Sequence, residues 1–183
     1  MQEKIKSKWQ RRFSKQDLKI CRKIKAKIIE KQTKKTGVTT YEILRLMKNV
    51  PHFIGCYAED EITSLKITTF PAYLIVNLDG SNLPGSHWIG LMIDRFNVEI
   101  YDSAGFNLFL LPRIPCHLLS FIHRFTQSRQ LTVTPKLQSS ASNLCGFYAI
   151  FFIICRHHYS LSKILSLFTE NLSINDRRLI NLL

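Results

Sequence analysis

The 183-residue sequence predicts an α+β protein in which a mixed β-sheet is flanked by helices. Short apolar segments bounded by turn residues predict strands, and one longer apolar run predicts a buried central helix. Apolar residues make up 45% of the chain and aromatic residues 11%, which supplies a core and excludes a wholly disordered chain. The length predicts one domain with some additional chain.

The first half of the chain carries most of the predicted strands. A helix is expected to begin with Thr39 or Thr40 as its N-cap and to end before Pro51. Residues 95–97 form a predicted tight hairpin between two strands. A short apolar segment occupies 53–57, and strands are predicted at 70–78, 86–94, 97–102 and 131–136.

The second half is predicted to be mainly helical. A helix is expected at 116–127, and an amphipathic stretch at 161–183. Ser142 or Asn143 is the expected cap of a very apolar helix that begins at Leu144 and ends near residue 158. Its apolar run of 12 residues is too short to span a bilayer, and the first residues of the chain are charged. We therefore expect a protein that is neither membrane-bound nor secreted.

Positive charge is concentrated at the start of the chain. Residues 1–36 hold 14 of the 26 Lys and Arg and 3 of the 13 Asp and Glu, a net charge of +11, whereas the other 147 residues carry +2. This predicts a basic N-terminal extension at 1–36 and a separate domain at 37–183. A surplus of this size indicates DNA binding or nuclear import, and a solvated tail is the alternative. The apolar residues of the extension recur at helical spacing: Ile5, Trp9, Phe13, Ile20, Ile24 and Ile28.

The cysteines predict an intracellular, reducing environment. There are five, an odd number, and they form no CxxC pair. Cys155, His157 and His158 are close in sequence, but on a helix this spacing does not bring ligands to one face. No metal site is therefore predicted.

Four residues could together form a catalytic site. Cys145 lies in the first turn of the most apolar helix, where backbone N–H groups and the helix dipole stabilise a thiolate. His87 opens one strand and Asp102 closes the next, so the hairpin places them side by side, with the carboxylate orienting the ring through Nδ1–H. Gln138, seven residues before Cys145, offers a neutral amide donor to an oxyanion, with the backbone N–H of Cys145 as the second donor. Singly, each residue has a plain structural explanation, but together they fill the roles of a thiol protease.

The motifs that contain these residues resemble the adenovirus protease (adenain) family. They are Gly85-Ser86-His87-Trp88, the turn from Tyr101 to Phe106, Gln138-x6-Cys145-Gly146-Phe147, and the upstream segment 51–57. The resemblance covers residues 39–159. It implies a cysteine protease fold of the adenain and ubiquitin-like-protease type, with the nucleophile on the central helix. It also implies that Cys145 is the nucleophile, His87 the base, Asp102 its orienting partner and Gln138 an oxyanion donor.

The same resemblance implies a biological setting. It implies that the substrates are viral precursor proteins, cut near small residues and glycine during virion maturation in the host nucleus and the virion. It implies DNA and a short viral peptide as activators, and no cofactor for the chemistry itself. We expect a monomer that binds DNA through the basic extension and does not bind membranes.

The sequence also departs from the adenoviral pattern. Asp102 stands where those enzymes typically carry Glu, and 128–137 contains no Cys that could hold an activator covalently. These differences indicate a divergent relative, from an adenovirus-like or Polinton-like element. Two alternatives remain open: a SUMO or ubiquitin-like-protein protease, which has the same His–Asp–Gln–Cys order, and a nucleic-acid-binding structural protein with a relict catalytic fold.

Overall fold

The computed structural model describes residues 10–34, 36–105 and 115–183. Ile5, Trp9 and Phe106, which the sequence analysis singled out, lie outside the described residues. The helices are α1 (Lys15–Lys34), α2 (Thr40–Met47), α3 (Cys116–Thr126), α4 (Cys145–Arg156), α5 (Leu161–Leu165) and α6 (Leu172–Leu182). The strands are β1 (Phe53–Ala58), β2 (Ala72–Asn77), β3 (Trp88–Ile93), β4 (Asn97–Tyr101) and β5 (Gln130–Val133), with a 3₁₀ turn at Glu61–Ser64.

The five strands form one mixed sheet in the order β1-β2-β3-β4-β5. The central pairs β2–β3 and β3–β4 are antiparallel, and the outer pairs β1–β2 and β4–β5 are parallel. The predicted α+β fold with a mixed sheet flanked by helices is confirmed. The short apolar segment at 53–57 proves to be an edge strand of this sheet.

The hairpin between β3 and β4 fixes the relative position of two predicted site residues. The backbone N–H of Asp94 donates to the carbonyl of Asn97 at 2.9 Å, which closes the predicted turn. The Asp94 carboxylate also accepts from the backbone N–H groups of Phe96 and Asn97. Gly90 pairs with Tyr101 in the resulting register. His87, just before β3, and Asp102, just after β4, therefore lie at the same end of the sheet.

Helix α4 is the centre of the larger core. Its residues 146–155 are all buried, and it packs mainly on β3. Gly90 permits this close approach, since a Cβ there would lie 3.0 Å from Tyr101 Cδ2 and 3.4 Å from Ala149 Cβ. A second core on the other face of the sheet contains α3. Among the described residues, no helix is long and apolar enough to cross a membrane.

The start of α4 differs from the expectation. The helix begins at Cys145 with Leu144 as its N-cap, and no side chain caps it, so the predicted cap by Ser142 or Asn143 is wrong. The Ser142 side chain is directed into its own loop, where its hydroxyl donates to the carbonyl of Ser139. The first N–H groups of α4 are therefore not taken by a capping side chain.

Two other helical predictions hold with changed boundaries. Thr39 is the N-cap of α2, and its side chain and that of Glu42 form a reciprocal capping box. The amphipathic stretch at 161–183 is divided into α5 and α6, because Ser160 and Asn171 each cap a helix there.

The basic extension contributes a docked helix. Within α1, the side chains of Ile20, Cys21, Ile24 and Ile28 are buried in the larger core, with Phe13 just before the helix. The predicted apolar stripe is confirmed within the described residues, and a solvated tail is the wrong description of 15–34. Helical spacing places these four side chains on one face, and burying that face offsets the cost of ordering the segment. The boundary between extension and domain at residue 36 stays a prediction.

Candidate active site

The structure brings the predicted nucleophile and base into contact. Cys145 is the first residue of α4, and His87 immediately precedes β3, the strand on which α4 packs. The thiol and the imidazole are joined by a side-chain hydrogen bond. His87 is 8% exposed, so this contact is largely shielded from bulk water.

Asp102 completes a chain of three residues. His87 Nε2 lies 2.8 Å from Asp102 Oδ1. The same carboxylate oxygen accepts from the backbone N–H of Ala104 at 3.0 Å, and Asp102 is fully buried. The expectation that Asp102 contacts Nδ1 is wrong, because Nε2 is the ring nitrogen that lies beside the Asp102 carboxylate. Nδ1 is therefore the ring nitrogen that remains for the thiol.

The electrostatics of the pair favour charge separation. Burial alone would lower the pKa of His87, but the hydrogen bonds to Asp102 and Cys145 outweigh it and raise this pKa from 6.5 to about 9. Burial alone would raise the pKa of Cys145, but His87 and the backbone N–H groups of Trp88 and Gly146 lower it below 9.0. The arrangement therefore supports a thiolate beside an imidazolium.

Gln138 lines the same cavity with a fixed amide orientation. Its Oε1 accepts from the hydroxyl of Ser103 at 2.7 Å, and its Nε2 donates to the carbonyl of Ser142 at 2.6 Å. Since a carbonyl can only accept, the nitrogen must face Ser142. An amide nitrogen carries two N–H groups, so Gln138 can still donate one to a ligand oxygen.

Ser103 and Thr134 belong to the site although sequence reasoning missed them. The carbonyl of Ser103 accepts from the backbone N–H of both Leu137 and Gln138, each at 2.8 Å. The hydroxyl of Thr134 accepts from the backbone N–H of Asp102 at 2.8 Å. These contacts tie the turn after β4 to the chain after β5. A serine in a turn and a threonine after a strand carry no sequence signal that distinguishes them from ordinary polar residues.

Gly146 allows close packing at the start of α4, because its neighbours fill the space that a side chain would take. A Cβ at this position would lie 2.4 Å from Val38 Cγ1 and 3.1 Å from Trp88 Cδ1. The indole N–H of Trp88 donates to the Val38 carbonyl at 3.0 Å. Val38 was not singled out from the sequence, because a valine between two helices has no distinguishing pattern.

A cavity of about 650 Å³ opens beside these residues, a size typical of ligand sites. Cys145, His87 and Gln138 line it together with the segments 36–40 and 83–88. No Lys or Arg among the described residues lines this cavity, although the chain contains 26. The acidic residues of its lining are Glu61 and Asp79.

Neither a metal centre nor a disulfide is seen in the described ranges. No three His, Cys, Asp or Glu side chains there are grouped so that they could hold a metal ion. All five cysteines lie in the described part of the chain, and none forms a disulfide.

The fold has a counterpart among solved structures. The crystal structure of the pS273R protease of ASFV aligns with a TM-score of 0.53, at 17% sequence identity and over 79% of this chain. The chain spans 66% of the length of that protease. A selenomethionine form of the same protease aligns with a TM-score of 0.46, at 16% identity, covering 79% of this chain and 67% of the other.

No protein-family model matches the chain, and no curated protein matches its sequence. The structural likeness is to a protease of ASFV, so it does not single out the adenovirus protease family that the motifs resemble. The chain has an α+β fold that it shares with a protease of known structure.

Proposed function

We propose that the protein is a cysteine endopeptidase with Cys145 as its nucleophile. The observation that carries this proposal is the continuous contact from Asp102 through His87 to Cys145 at the start of α4, beside a cavity. A protein that kept the fold but had lost the activity would need neither these contacts nor a lowered pKa of the Cys145 thiol. The likeness in fold to a protease is consistent with this function.

In the proposed reaction, the Cys145 thiolate attacks the carbonyl carbon of the scissile peptide bond. The carbonyl oxygen becomes an oxyanion that accepts from the remaining N–H of Gln138 and from the backbone N–H of Cys145. The His87 imidazolium gives its proton to the leaving amine, which breaks the C–N bond and leaves a thioester on Cys145. His87 then takes a proton from water, whose oxygen attacks the thioester and releases the acid product and the thiolate.

Asp102 acts on the ring of His87. Its carboxylate accepts a hydrogen bond from Nε2 and stabilises the imidazolium, while Ala104 and Thr134 hold Asp102 in place. Asp102 thus sets both the orientation and the proton affinity of the base.

The proposed substrates are viral precursor polypeptides cut near small residues and glycine during virion maturation, in the host nucleus and the virion. This choice of substrates is supported by the motifs around His87, Asp102 and Cys145, which resemble those of adenovirus proteases. A SUMO or ubiquitin-like-protein protease remains the alternative within the same chemistry. Cleavage of a SUMO precursor, together with no cleavage of glycine-containing viral-type peptides, would favour that alternative.

DNA binding is a second proposed property, and α1 is its proposed site. The helix buries one face, and Lys15, Lys19 and Arg22 are exposed on the opposite face. Positive charge on an exposed helix face binds the phosphate backbone with little sequence preference. The cavity beside Cys145 lacks such charge among the described residues, so DNA and polypeptide would occupy different surfaces.

A thiol-reactive probe tests the proposed nucleophile directly. The full chain is treated with limiting iodoacetamide at neutral pH, and the labelled residues are identified by peptide mapping. Cys116 is exposed and supplies an internal control, since accessibility alone would favour it over the half-buried Cys145. Preferential labelling of Cys145 supports the proposal, and preferential labelling of Cys116 would overturn it.

A further inference from the structure

Two backbone N–H groups favour the thiolate form of Cys145. They belong to Trp88 and Gly146, and both lower the pKa of the thiol. Trp88 follows the proposed base, and Gly146 follows the proposed nucleophile. The two donors therefore come from different elements, β3 and α4, whose relative position decides whether both reach the sulfur.

Val38 contacts both of these residues. Its carbonyl accepts from the indole N–H of Trp88 at 3.0 Å, which fixes the side chain of that residue. Its side chain fills the space beside Gly146, where a Cβ would meet Val38 Cγ1 at 2.4 Å. Val38 is only 4% exposed, so it is packed against both residues with little contact with solvent.

The position of Val38 is set by the helices on either side of it. α1 ends at Lys34 and α2 begins at Thr40, so Val38 lies in a short connection between them. The Glu42 carboxylate joins the two helices, with Lys27 Nζ at 2.8 Å and Lys31 Nζ at 2.9 Å. Thr39 and Glu42 also form the capping box that holds the backbone next to Val38.

We propose that Val38 is a positioning residue that holds Trp88, the first residue of β3, against Gly146, in the first turn of α4, and so fixes the surroundings of the Cys145 sulfur. This inference rests on the proposed function, because it concerns the same nucleophile. It gives the connection between α1 and α2 a role in the chemistry, because Val38 lies in that connection and contacts Trp88 and Gly146, the residues that follow His87 and Cys145.

The alternative is that Val38 is an ordinary core residue. Truncating an ordinary core residue lowers stability and leaves the chemistry of a distant thiol unchanged. Truncating a positioning residue also weakens the hydrogen bonds to the thiolate, and this raises the thiol pKa. The thiol pKa is therefore the measurement that separates the two.

The experiment measures the rate of Cys145 alkylation by iodoacetamide against pH, by mass spectrometry of the full chain. Val38→Ala removes the methyl groups beside Gly146, and Trp88→Phe removes the indole donor. We expect each to raise the thiol pKa by about one unit, the scale of one lost hydrogen bond to a charged group. His87, the titratable side chain in contact with the thiol, is retained in every variant.

Two controls isolate positioning from stability. Val50→Ala truncates a valine of similar burial, 6% exposed, in the same core, so it should lower Tm and leave the thiol pKa at its wild-type value. Val38→Thr keeps the branched shape while it buries a hydroxyl, so it should lower Tm and retain the wild-type thiol pKa.

The outcomes distinguish this inference from the proposed function. An unshifted thiol pKa in both Val38→Ala and Trp88→Phe, with a low value in the wild type, would overturn the positioning role and leave the proposed nucleophile standing. A wild-type Cys145 no more reactive than exposed Cys116 would instead overturn the proposed function. If Val38→Ala fails to fold, Trp88→Phe, which keeps Val38, decides the question alone.

Discussion

His87 and Asp102 are 15 residues apart in the chain, yet their side chains meet, with Nε2 of the imidazole 2.8 Å from Oδ1 of the carboxylate. The β3–β4 hairpin makes this contact, since an antiparallel pair returns the end of one strand to the start of the other. α4 then places Cys145 on the other side of the ring, because it packs on β3. A local turn and one helix–sheet contact thus assemble three residues from distant parts of the sequence.

The first prediction concerns the nucleophile. Cys145→Ala should abolish peptide cleavage and leave Tm near the wild-type value, since Cys145 is only partly buried. Cys145→Ser should retain at most a trace of activity, because a hydroxyl ionises far less readily than a thiol. Cleavage of a fluorogenic glycine-containing peptide measures this, with Cys116→Ser as the matched control that should remain active. Normal turnover by Cys145→Ala would contradict the assignment.

The second prediction concerns pH. The active thiolate–imidazolium pair exists between the lowered pKa of Cys145 and the raised pKa of His87, so kcat/KM should follow a bell-shaped profile. Its alkaline limb should lie near pH 9, where His87 loses its proton. Asp102→Asn removes a charge that raises the pKa of His87, so this limb should move to lower pH.

The size of the loss of peptide-cleaving activity also distinguishes His87 from Asp102. His87→Ala removes the proton donor and should approach the loss seen for Cys145→Ala, whereas Asp102→Asn keeps a side chain that can orient the ring and should cost less. An alkaline limb at the same pH in Asp102→Asn and in the wild type would exclude the proposed role of Asp102.

The third prediction concerns the oxyanion. Gln138→Ala should lower kcat by about 10²-fold, the usual scale for the loss of one oxyanion donor. Ser103→Ala leaves the amide in place but removes the hydroxyl that fixes Oε1, so its effect on kcat should be smaller. Steady-state kinetics with a peptide substrate measure both variants. A change in KM alone for Gln138→Ala would contradict its role.

Residues set by local patterns were predictable from the sequence. The hairpin at 95–97 and the apolar run after Cys145 give the sheet register and the central helix, and these two features bring His87, Asp102 and Cys145 together. The start of α2 was predicted to within one residue, because Thr39 or Thr40 was the expected N-cap and Thr39 is the residue that caps the helix.

Contacts between distant segments were not predictable. Val38 is 50 residues from Trp88, and Ser103 is 35 residues from Gln138. Neither contact follows from periodicity or turn chemistry, since both depend on how α1, α2 and the loop before α4 pack against the sheet. The side of the His87 ring that faces Asp102 depends in the same way on tertiary geometry.

The fourth prediction concerns the junction of α1 and α2. Burial would raise the pKa of Glu42, but Lys27 and Lys31 outweigh it and lower this pKa from 4.5 to about 2. The carboxylate therefore stabilises the fold above pH 4.5, and this contribution is lost as the pH falls towards 2. Glu42→Gln keeps a capping-box side chain but removes the charge, so it should destabilise the protein at pH 7 by about 1 kcal/mol or less.

Urea unfolding at several pH values measures this effect. The difference between Glu42→Gln and the wild type should shrink as the pH approaches 2, where the wild-type carboxyl is protonated. Glu30→Gln is the control, because Glu30 pairs with Lys27 and Lys34 on α1 itself and does not join the two helices. A difference that stays constant with pH would show that the charge of Glu42 is not what stabilises the junction.

The last prediction concerns DNA binding by the basic helix. Deleting 1–36 would remove at least five buried side chains from the core, four of α1 and that of Phe13, so the charge must be tested by surface substitution. The triple variant Lys19→Glu, Arg22→Glu, Lys15→Glu should bind duplex DNA much more weakly while peptide cleavage without DNA is retained, because these side chains face away from the core. The wild-type affinity should fall by about one log unit per log unit of salt for each phosphate neutralised, and the variant should show a slope smaller by up to about three.

A control with the same change in net charge is Lys48→Glu, Lys163→Glu, Arg177→Glu, three residues that are exposed on other helices or their ends. It should weaken binding less than the α1 variant, since total charge affects encounter but only the α1 side chains would contact phosphates. Fluorescence anisotropy at several salt concentrations measures both. Wild-type binding that is flat between low and physiological salt would exclude an electrostatic site, and equal losses in the two variants would place the DNA elsewhere than on α1.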